Sequence, residues 1–565
     1  MIIKSPMPGA SAAQLQLNET ELATSTDRQP RTLTHRWSDP LVVISAGFLI
    51  YAACFIFRTS GEIEGVRYFS LFDDDMISMT YARNLAHGYG LVWIPGGPRI
   101  EGYTNLLWVC FMALFHFMPI PVAKISLCIQ VSGCVFLLLN LWCTREIART
   151  LWPESKRAAT VAVLLTAFYY PLDNWALHGT EVSILTSISS AAVLAALRFE
   201  APRARNALAA ILGLSTLVRP DTAGFAFLLL ATILALSAGK RWRQVISIGA
   251  VVGLLLIAQT LFRIAYYGDI LPNTYYLKLA GYPLIPRIAR GLFVAIVFLL
   301  PLLPLMLLMF FRRVRRDAPR AVALLAIPLA GQLLYSIYVG GDAWEWWGGC
   351  NRYKAVVMPL FMILVARAID VTFLNRRGRA GAIGFAAVTA GALLLIKAQN
   401  LREFLMLAPP PQTAENVEMI EQGLLVSRVT DLDATIGLIW AGTIPYFSRR
   451  DGIDFLGKTD PKVAHQQSHI RPKFFWWLEF WPGHNKWDYA YSIGERAPDV
   501  VMQLWSPDPA TLALLVSRYE QVRLDGFTWY LRRDSTHINH EALKMEIAQS
   551  VDRTRITRFV INERR

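Results

Sequence analysis

The feature that most limits how this chain can fold is a train of apolar runs, each about 14 to 25 residues long, filling most of the first 397 of its 565 residues. A helix needs roughly 17 to 25 apolar residues to cross a bilayer, and backbone inside hydrocarbon must satisfy its own hydrogen bonds. The runs are therefore read as about eleven spanning helices, near 40–57, 121–143, 158–172, 181–197, 205–218, 222–238, 243–267, 289–311, 318–339, 354–373 and 380–397. Composition agrees, with 54% apolar and only 17% charged residues, where a water-facing surface usually carries about 25% charged. A disordered polymer and an ordinary soluble enzyme are both excluded.

Orientation follows from the basic residues, because loops rich in Lys and Arg stay in the cytoplasm. One set of turns is basic: Arg145, Arg149, Lys156 and Arg157; Arg198, Arg203 and Arg205; Lys240, Arg241 and Arg243; Arg312, Arg313, Arg315, Arg316 and Arg320; Arg376, Arg377 and Arg379. The N-terminus joins that side, its first run reading as a retained signal anchor behind Lys4, Arg28, Arg31 and Arg36. The alternate loops carry acids and aromatics and face outward. The net charge of +14 is thus a matter of topology, and nucleic acid is not an expected partner. The six cysteines show neither a disulfide framework nor metal-type spacing.

The alternation holds only if 105–118 does not cross, so that stretch is expected to lie at the outer interface with Trp108 at headgroup depth. The first exterior loop then runs from about 58 to 119 within a membrane domain of residues 1–397. Residues 398–565 form an exterior soluble domain, expected to be α/β. ATIGLIW, GIDFLG and PDVVMQLW read as its strands and PATLALLVSRYEQV as a helix.

Chemistry concentrates in the exterior loops. LFDDDMISMTYARNLAHGYGLVW places Asp73, Asp74 and Asp75 at the start of a helical stretch that His87-Gly88 can end. Asp73 or Asp74 can cap that helix, or serve as a general base toward an incoming hydroxyl. Adjacent acids repel one another unless cations or a metal compensate, so a divalent cation is an open requirement. Glu101, Tyr103 and Asn105 beyond the Gly-rich turn, with Asp75, His178, Glu181 and Asp342, offer contacts for a sugar or acceptor. His178 is the weakest, since a lone His beside Gly is more often a structural hydrogen bonder. Arg219, Lys278, Arg352 and Lys354 are candidates for a phosphate at headgroup depth. Trp344, Trp346 and Trp347 read first as interfacial anchors. A lipid tail, a phosphate and a sugar in series would match this distribution.

The motifs DDDMISMTYARNLAHGYGLVW, EGYTNLLW, HGTE, VRPD, GDILPNT, GGD and NRY, with AGTIPYFS, IDFLGKTDP and PGHNKWDY in the tail, resemble the GT-C superfamily of membrane glycosyltransferases. Within it, the resemblance is closest to the mycobacterial terminal arabinofuranosyltransferases and their bacterial relatives. It implies a multi-helix bundle, a polyprenyl-phosphate sugar donor, a cell-envelope glycan acceptor and a catalytic aspartate at the Asp73–Asp74 pair. The sugar toward which it leans is D-arabinofuranose; the stereochemical course stays open. The rivals are a protein-glycosylating transferase of the same fold and a lipid-linked sugar transporter or flippase. A transporter would place ionisable groups at mid-membrane and show repeated halves, and neither pattern is present.

Overall fold

The computed structural model describes residues 39–309, 319–345, 350–373, 378–397, 400–470 and 479–550. Arg312, Arg313, Arg315, Arg316, Arg376, Arg377, Trp346, Trp347 and the polar N-terminal stretch lie outside them.

All eleven apolar runs are helical: Pro40–Arg58, Val122–Leu151, Lys156–Ala167, Val182–Leu197, Pro202–Val218, Thr222–Leu236, Trp242–Tyr267, Leu284–Leu299 with its continuation Leu303–Met309, Pro319–Tyr338, Met358–Phe373 and Arg379–Leu395. Four of these segments, Pro40–Arg58, Val122–Leu151, Trp242–Tyr267 and Leu284–Met309, are long and apolar enough to cross a membrane by length and composition. Their ends follow local chemistry. Asp39 accepts from Leu41 N at 3.0 Å before Pro40 starts the first helix, and Gly268, at φ 76°, ends Trp242–Tyr267 as only a residue tolerant of the left-handed region does readily. Ile246, Leu254, Ile257 and Leu261 on one helix and Ile285, Ile296, Leu300 and Leu307 on another are exposed. Apolar rows of that length are the surface a lipid-facing bundle presents. The chain is a multi-pass membrane protein of mainly α fold.

The turns sort to two ends of the bundle. Val122–Leu151 has 30 residues, about 45 Å at 1.5 Å per residue. Near its first end Phe69 N donates to Ala123 O; near its last, Arg145 pairs with Asp39 at 2.5 Å. Arg198 reaches Glu146 at the same basic end.

The first loop contains a hairpin, β1 (Gly61–Ile63) and β2 (Val66–Tyr68), then an acidic helix Asp73–Ala86 and a helix Leu106–His116. The acidic helix begins without a side-chain cap, after Phe72. The three aspartates fill its first turn, where the helix dipole favours carboxylates. It ends at His87, with Gly88 at φ 84°. Trp108 is not a headgroup anchor. It is 1% exposed and donates its indole N–H to Gly179 O at 3.2 Å, because Leu106–His116 is packed between the bundle and the C-terminal domain, with His116 Nε2 3.1 Å from the Tyr446 hydroxyl. Trp344 is likewise buried, stacked on Trp440 with ring centroids 4.9 Å apart.

The C-terminal domain carries a five-stranded sheet in the order β4-β3-β5-β7-β6. β3 (Thr435–Leu438), β4 (Asp451–Asp454) and β5 (Val500–Val501) are parallel, and β6 (Tyr519–Leu524) and β7 (Phe527–Arg532) form an antiparallel hairpin. The helix expected over PATLALLVSRYEQV stops at Arg518, and Tyr519 starts β6. Asp525-Gly526, both at positive φ, make the turn that suits a tight hairpin. This domain shares one apolar core with the first loop: Met76, Met79, Tyr81, Trp93 and Trp108 pack in one cluster with Ile420, Val426, Ile436, Ile444, Val500 and Trp529.

Candidate active site

A cavity of about 310 Å³ lies where the acidic loops converge. Five of its lining residues are cations: Arg219, Arg263, Lys278, Arg352 and Lys458. Four are carboxylic acids: Asp74, Asp75, Glu181 and Asp221. Its rim includes Ile270, Leu271 and Tyr275, which are exposed apolar side chains.

The three adjacent aspartates have three different environments, because successive helical positions point about 100° apart. Asp73 does not line the cavity. Its carboxylate accepts from Thr443 N at 2.7 Å and Gly442 N at 3.3 Å, closing the start of helix Thr443–Ser448 in the C-terminal domain. A Cβ at Gly442 would stand 1.9 Å from Asp73 O, so the approach requires glycine there. Burial pushes Asp73 up to about 6, opposed by the Thr443 amide.

Asp74 faces the cavity. Burial alone would raise its pKa, but Lys458, Lys278 and Arg352 hold it well below the usual carboxylate range. Arg352 Nη2 is 2.9 Å from it and Lys458 forms an ion pair with it. Asp75 is pushed the other way, well above the usual range, by burial and by the charge of Glu181, and its Oδ2 has no partner among the described residues.

Each cation is placed by its own turn. Asn351 caps the short helix Arg352–Ala355 through Lys354 N, and Asp342 Oδ2 accepts from Arg352 Nε at 2.8 Å. Lys458 follows Gly457, at φ 81°, in a turn closed by Asp454, which accepts from Leu456, Gly457 and Thr459 N. Asn273 clamps the same turn through the Gly457 and Lys458 carbonyls, both at 2.9 Å. Lys278, at the end of helix Asn273–Lys278, is lowered to about 8, chiefly by burial. Arg219 is committed: it binds Glu181 and Asp221, each at 2.7 Å. Glu181 also accepts from Asn105 Nδ2 at 3.1 Å, and Asn105 Oδ1 accepts from Ser78 at 3.0 Å.

Of the residues expected from sequence, Asp74, Asp75, Tyr103, Asn105, Glu181, Arg219, Lys278 and Arg352 line this cavity. Five do not. Asp73 is turned to the C-terminal domain. Asp342 stands behind Arg352. Glu101 is buried in an ion pair with Arg263. His178 is 1% exposed, its Nδ1 2.7 Å from Asn174 O and its ring edge-on to Phe55. Lys354 is fully buried, paired with Glu345 and lying over Phe298. Sequence reasoning missed Lys458, whose motif IDFLGKTDP was read only for its resemblance, and Tyr335 and Tyr353, which carry no signal apart from their place beside Asp221 and Arg219. Among the described residues no three His, Cys, Asp or Glu side chains gather as a metal-holding group; the compensating charge beside Asp74 comes from Arg and Lys.

The fold has a counterpart among solved structures. It is similar to ArnT from Cupriavidus metallidurans, solved bound to undecaprenyl phosphate, with a TM-score of 0.52, 12% identity, and coverage of 88% of this chain and 98% of that one. The fold is the GT-C fold of membrane glycosyltransferases. Among curated proteins the chain is similar to the terminal beta-(1->2)-arabinofuranosyltransferase of Mycobacterium tuberculosis, 27% identical over 330 residues that make 52% of this chain and 51% of the relative. The protein of the same name from Corynebacterium glutamicum is 26% identical over 350 residues, 54% of this chain and 48% of the relative. The chain thus spans about half the length of the curated relatives it matches. Residues 411–540 match a family model described as "Domain of unknown function (DUF8728)".

Proposed function

We propose that this protein is a glycosyltransferase that moves a sugar, D-arabinofuranose, from a polyprenyl phosphate to a hydroxyl of a cell-envelope glycan on the outer side of the cytoplasmic membrane. The observation that carries the reading is the open cation cluster. Lys278, Lys458 and Arg352 converge on Asp74 in a cavity with an apolar rim, with Asp342 pairing Arg352 from behind, so that three cations share two carboxylates. Lys278 has no hydrogen-bond partner of its own among the described residues. A phosphodiester on an isoprenoid tail supplies the missing negative charge, with the tail leaving past Ile270, Leu271 and Tyr275.

Donor binding then changes the base. While the site is empty, Asp74 takes the full attraction of the cations and is too stable to be a strong base. A phosphate on the same cations shares that attraction and adds a negative charge nearby, and both effects raise the basicity of Asp74. The acceptor hydroxyl gives its proton to Asp74, its oxygen bonds to the anomeric carbon, and the bond from that carbon to the phosphate oxygen breaks with the electron pair staying on phosphate. Arg352, Lys458 and Lys278 stabilise the charge that develops on the leaving group. Asp75, Asn105 and Glu181 bound the same wall and offer contacts for the sugar's hydroxyls.

The test is transfer by purified full-length protein in nanodiscs, from a synthetic short-chain polyprenyl-phosphate D-arabinofuranose to a D-arabinofuranose oligosaccharide, read by mass spectrometry. A product longer by one pentose is expected. Transfer from a different polyprenyl-phosphate sugar only would overturn the choice of sugar, and no transfer from any would overturn the enzyme.

A further inference from the structure

A second cavity, of about 150 Å³, lies between the first loop and the edge of the C-terminal sheet. By the measure in which a cavity needs about 10–15 Å³ to hold a single water, it has room for a ligand the size of one sugar ring. One wall is apolar: Trp93, Ile94, Pro98 and Ile100. Trp93 is 6% exposed and packs on β4 where Gly452 leaves room, and its indole N–H finds no acceptor among the described residues. The facing wall is a linked polar set. The Tyr491 hydroxyl donates to Asp460 Oδ2 at 3.1 Å, Arg496 Nη1 donates to that hydroxyl at 3.3 Å, and Lys462 lies 3.8 Å over the Tyr491 ring while pairing with Glu495 at 3.0 Å.

The two cavities differ in their charge. Around Asp74 in the first, Lys278, Lys458 and Arg352 share two carboxylates, Asp74 and Asp342; in the second, Lys462 and Arg496 already have Glu495 and Asp460. A phosphate gains nothing from paired cations, whereas a neutral ring with one apolar face and a rim of hydroxyls fits an apolar wall opposite hydrogen-bonding side chains. The cavities are also neighbours. Ile100 and Thr459 line the second, and Gly102 and Lys458, two and one positions from them in sequence, line the first. The Tyr81 hydroxyl pins this partition, donating to Ile100 O at 2.7 Å and accepting from Gly102 N at 3.1 Å.

We propose that the second cavity is a binding subsite for a neutral saccharide unit of the acceptor glycan, set back from the unit that receives the new sugar. This rests on the glycosyltransferase reading above. The acceptor chain is held at two places, one beside Asp74 and one between Trp93 and Tyr491, so that longer acceptors bind better than single sugars.

The probe is a linear D-arabinofuranose tetrasaccharide, with the methyl glycoside of the single sugar as its control, titrated into full-length protein in nanodiscs without donor. We expect the tetrasaccharide to bind more tightly than the control. Tyr491→Phe should weaken tetrasaccharide binding by about threefold to tenfold, the scale of one lost neutral hydrogen bond, and Arg496→Ala by about tenfold or more, since its donor is charged. Arg496 is exposed, so that variant keeps its fold, and its transfer to the single-sugar acceptor should be unchanged while the KM for the tetrasaccharide rises. Equal binding by wild type and both variants, or no advantage of the longer probe, would overturn the subsite while leaving transfer to be judged by its own assay. Binding weakened by the variants in a protein that transfers nothing would overturn the acceptor role.

Discussion

Arg352 and Lys354 stand two residues apart on one short helical turn, yet they belong to opposite kinds of charge cluster. Lys354 is fully buried against Glu345, whose other oxygen accepts from Asn351 Nδ2 at 2.7 Å and Asp342 N at 3.0 Å. Every charge there is answered inside the protein. Arg352 instead joins Lys278 and Lys458 around Asp74 at the cavity wall, three cations to the two carboxylates of Asp74 and Asp342. The closed cluster holds a loop in place; the open one waits for a ligand. Counting partners separates the two where residue type and sequence position do not.

The largest effect that could break this contrast belongs to Asp74. Asp74→Asn should lower kcat by about 10²- to 10⁴-fold, the loss of a positioned general base, whereas Asp73→Asn should change it by no more than a few-fold, since Asn caps a helix about as well as Asp. Single-turnover transfer by monodisperse variants measures both. Equal losses would return catalysis to Asp73. Next comes the closed pair: Lys354→Met leaves Glu345 charged and buried, a loss of about 3–5 kcal/mol visible as a lower unfolding midpoint, with donor KM unchanged in whatever folds. A raised donor KM instead would make the cluster part of the phosphate site.

Smaller shifts would sharpen the open cluster. Arg352→Ala or Lys458→Ala should each remove about 1.5–3 kcal/mol of charge-assisted bonding, a rise in donor KM of roughly tenfold to 150-fold, with little loss of kcat at saturating donor. The smallest effect is one of pH. Lys278, lowered to about 8, is protonated below that value and loses its charge as pH rises through it, while a phosphodiester stays anionic. Donor KM should climb a few-fold between pH 7 and 9, and Lys278→Arg should flatten the profile.

Much of the fold was legible in sequence because its causes are periodic and long. All eleven apolar runs are helices, and the acidic loops do meet at one end. The site was legible less evenly. Asp74, Lys278 and Arg352 announce themselves as charges in loops between greasy runs, but Lys354 carries the same signal and is a buried strut. Asp73 and Asp74 are chemically alike, and only the 100° turn between helix positions sends one to the C-terminal domain and the other to the cavity. Lys458 lies 384 residues from Asp74 in sequence, and its role depends on a turn closed by Asp454 and Asn273, contacts that no local pattern encodes. Trp108 and Trp344 read as membrane anchors from composition alone, since a buried indole and an interfacial one differ only in what surrounds them.

The amide bonds that Thr443 and Gly442 give to Asp73 bridge about 370 residues of chain. At about 5–20 residues per second of synthesis, some 20 to 70 seconds separate the first of these partners from the second. During that interval the acidic helix has its aspartates but lacks Lys458, Thr443 and the apolar neighbours that complete its core. The cavity is therefore finished last, by a domain made after every helix of the bundle. A nascent or truncated chain carries Asp74 with Lys278 and Arg352 but without Lys458, so the third cation at that carboxylate arrives only with the C-terminal domain.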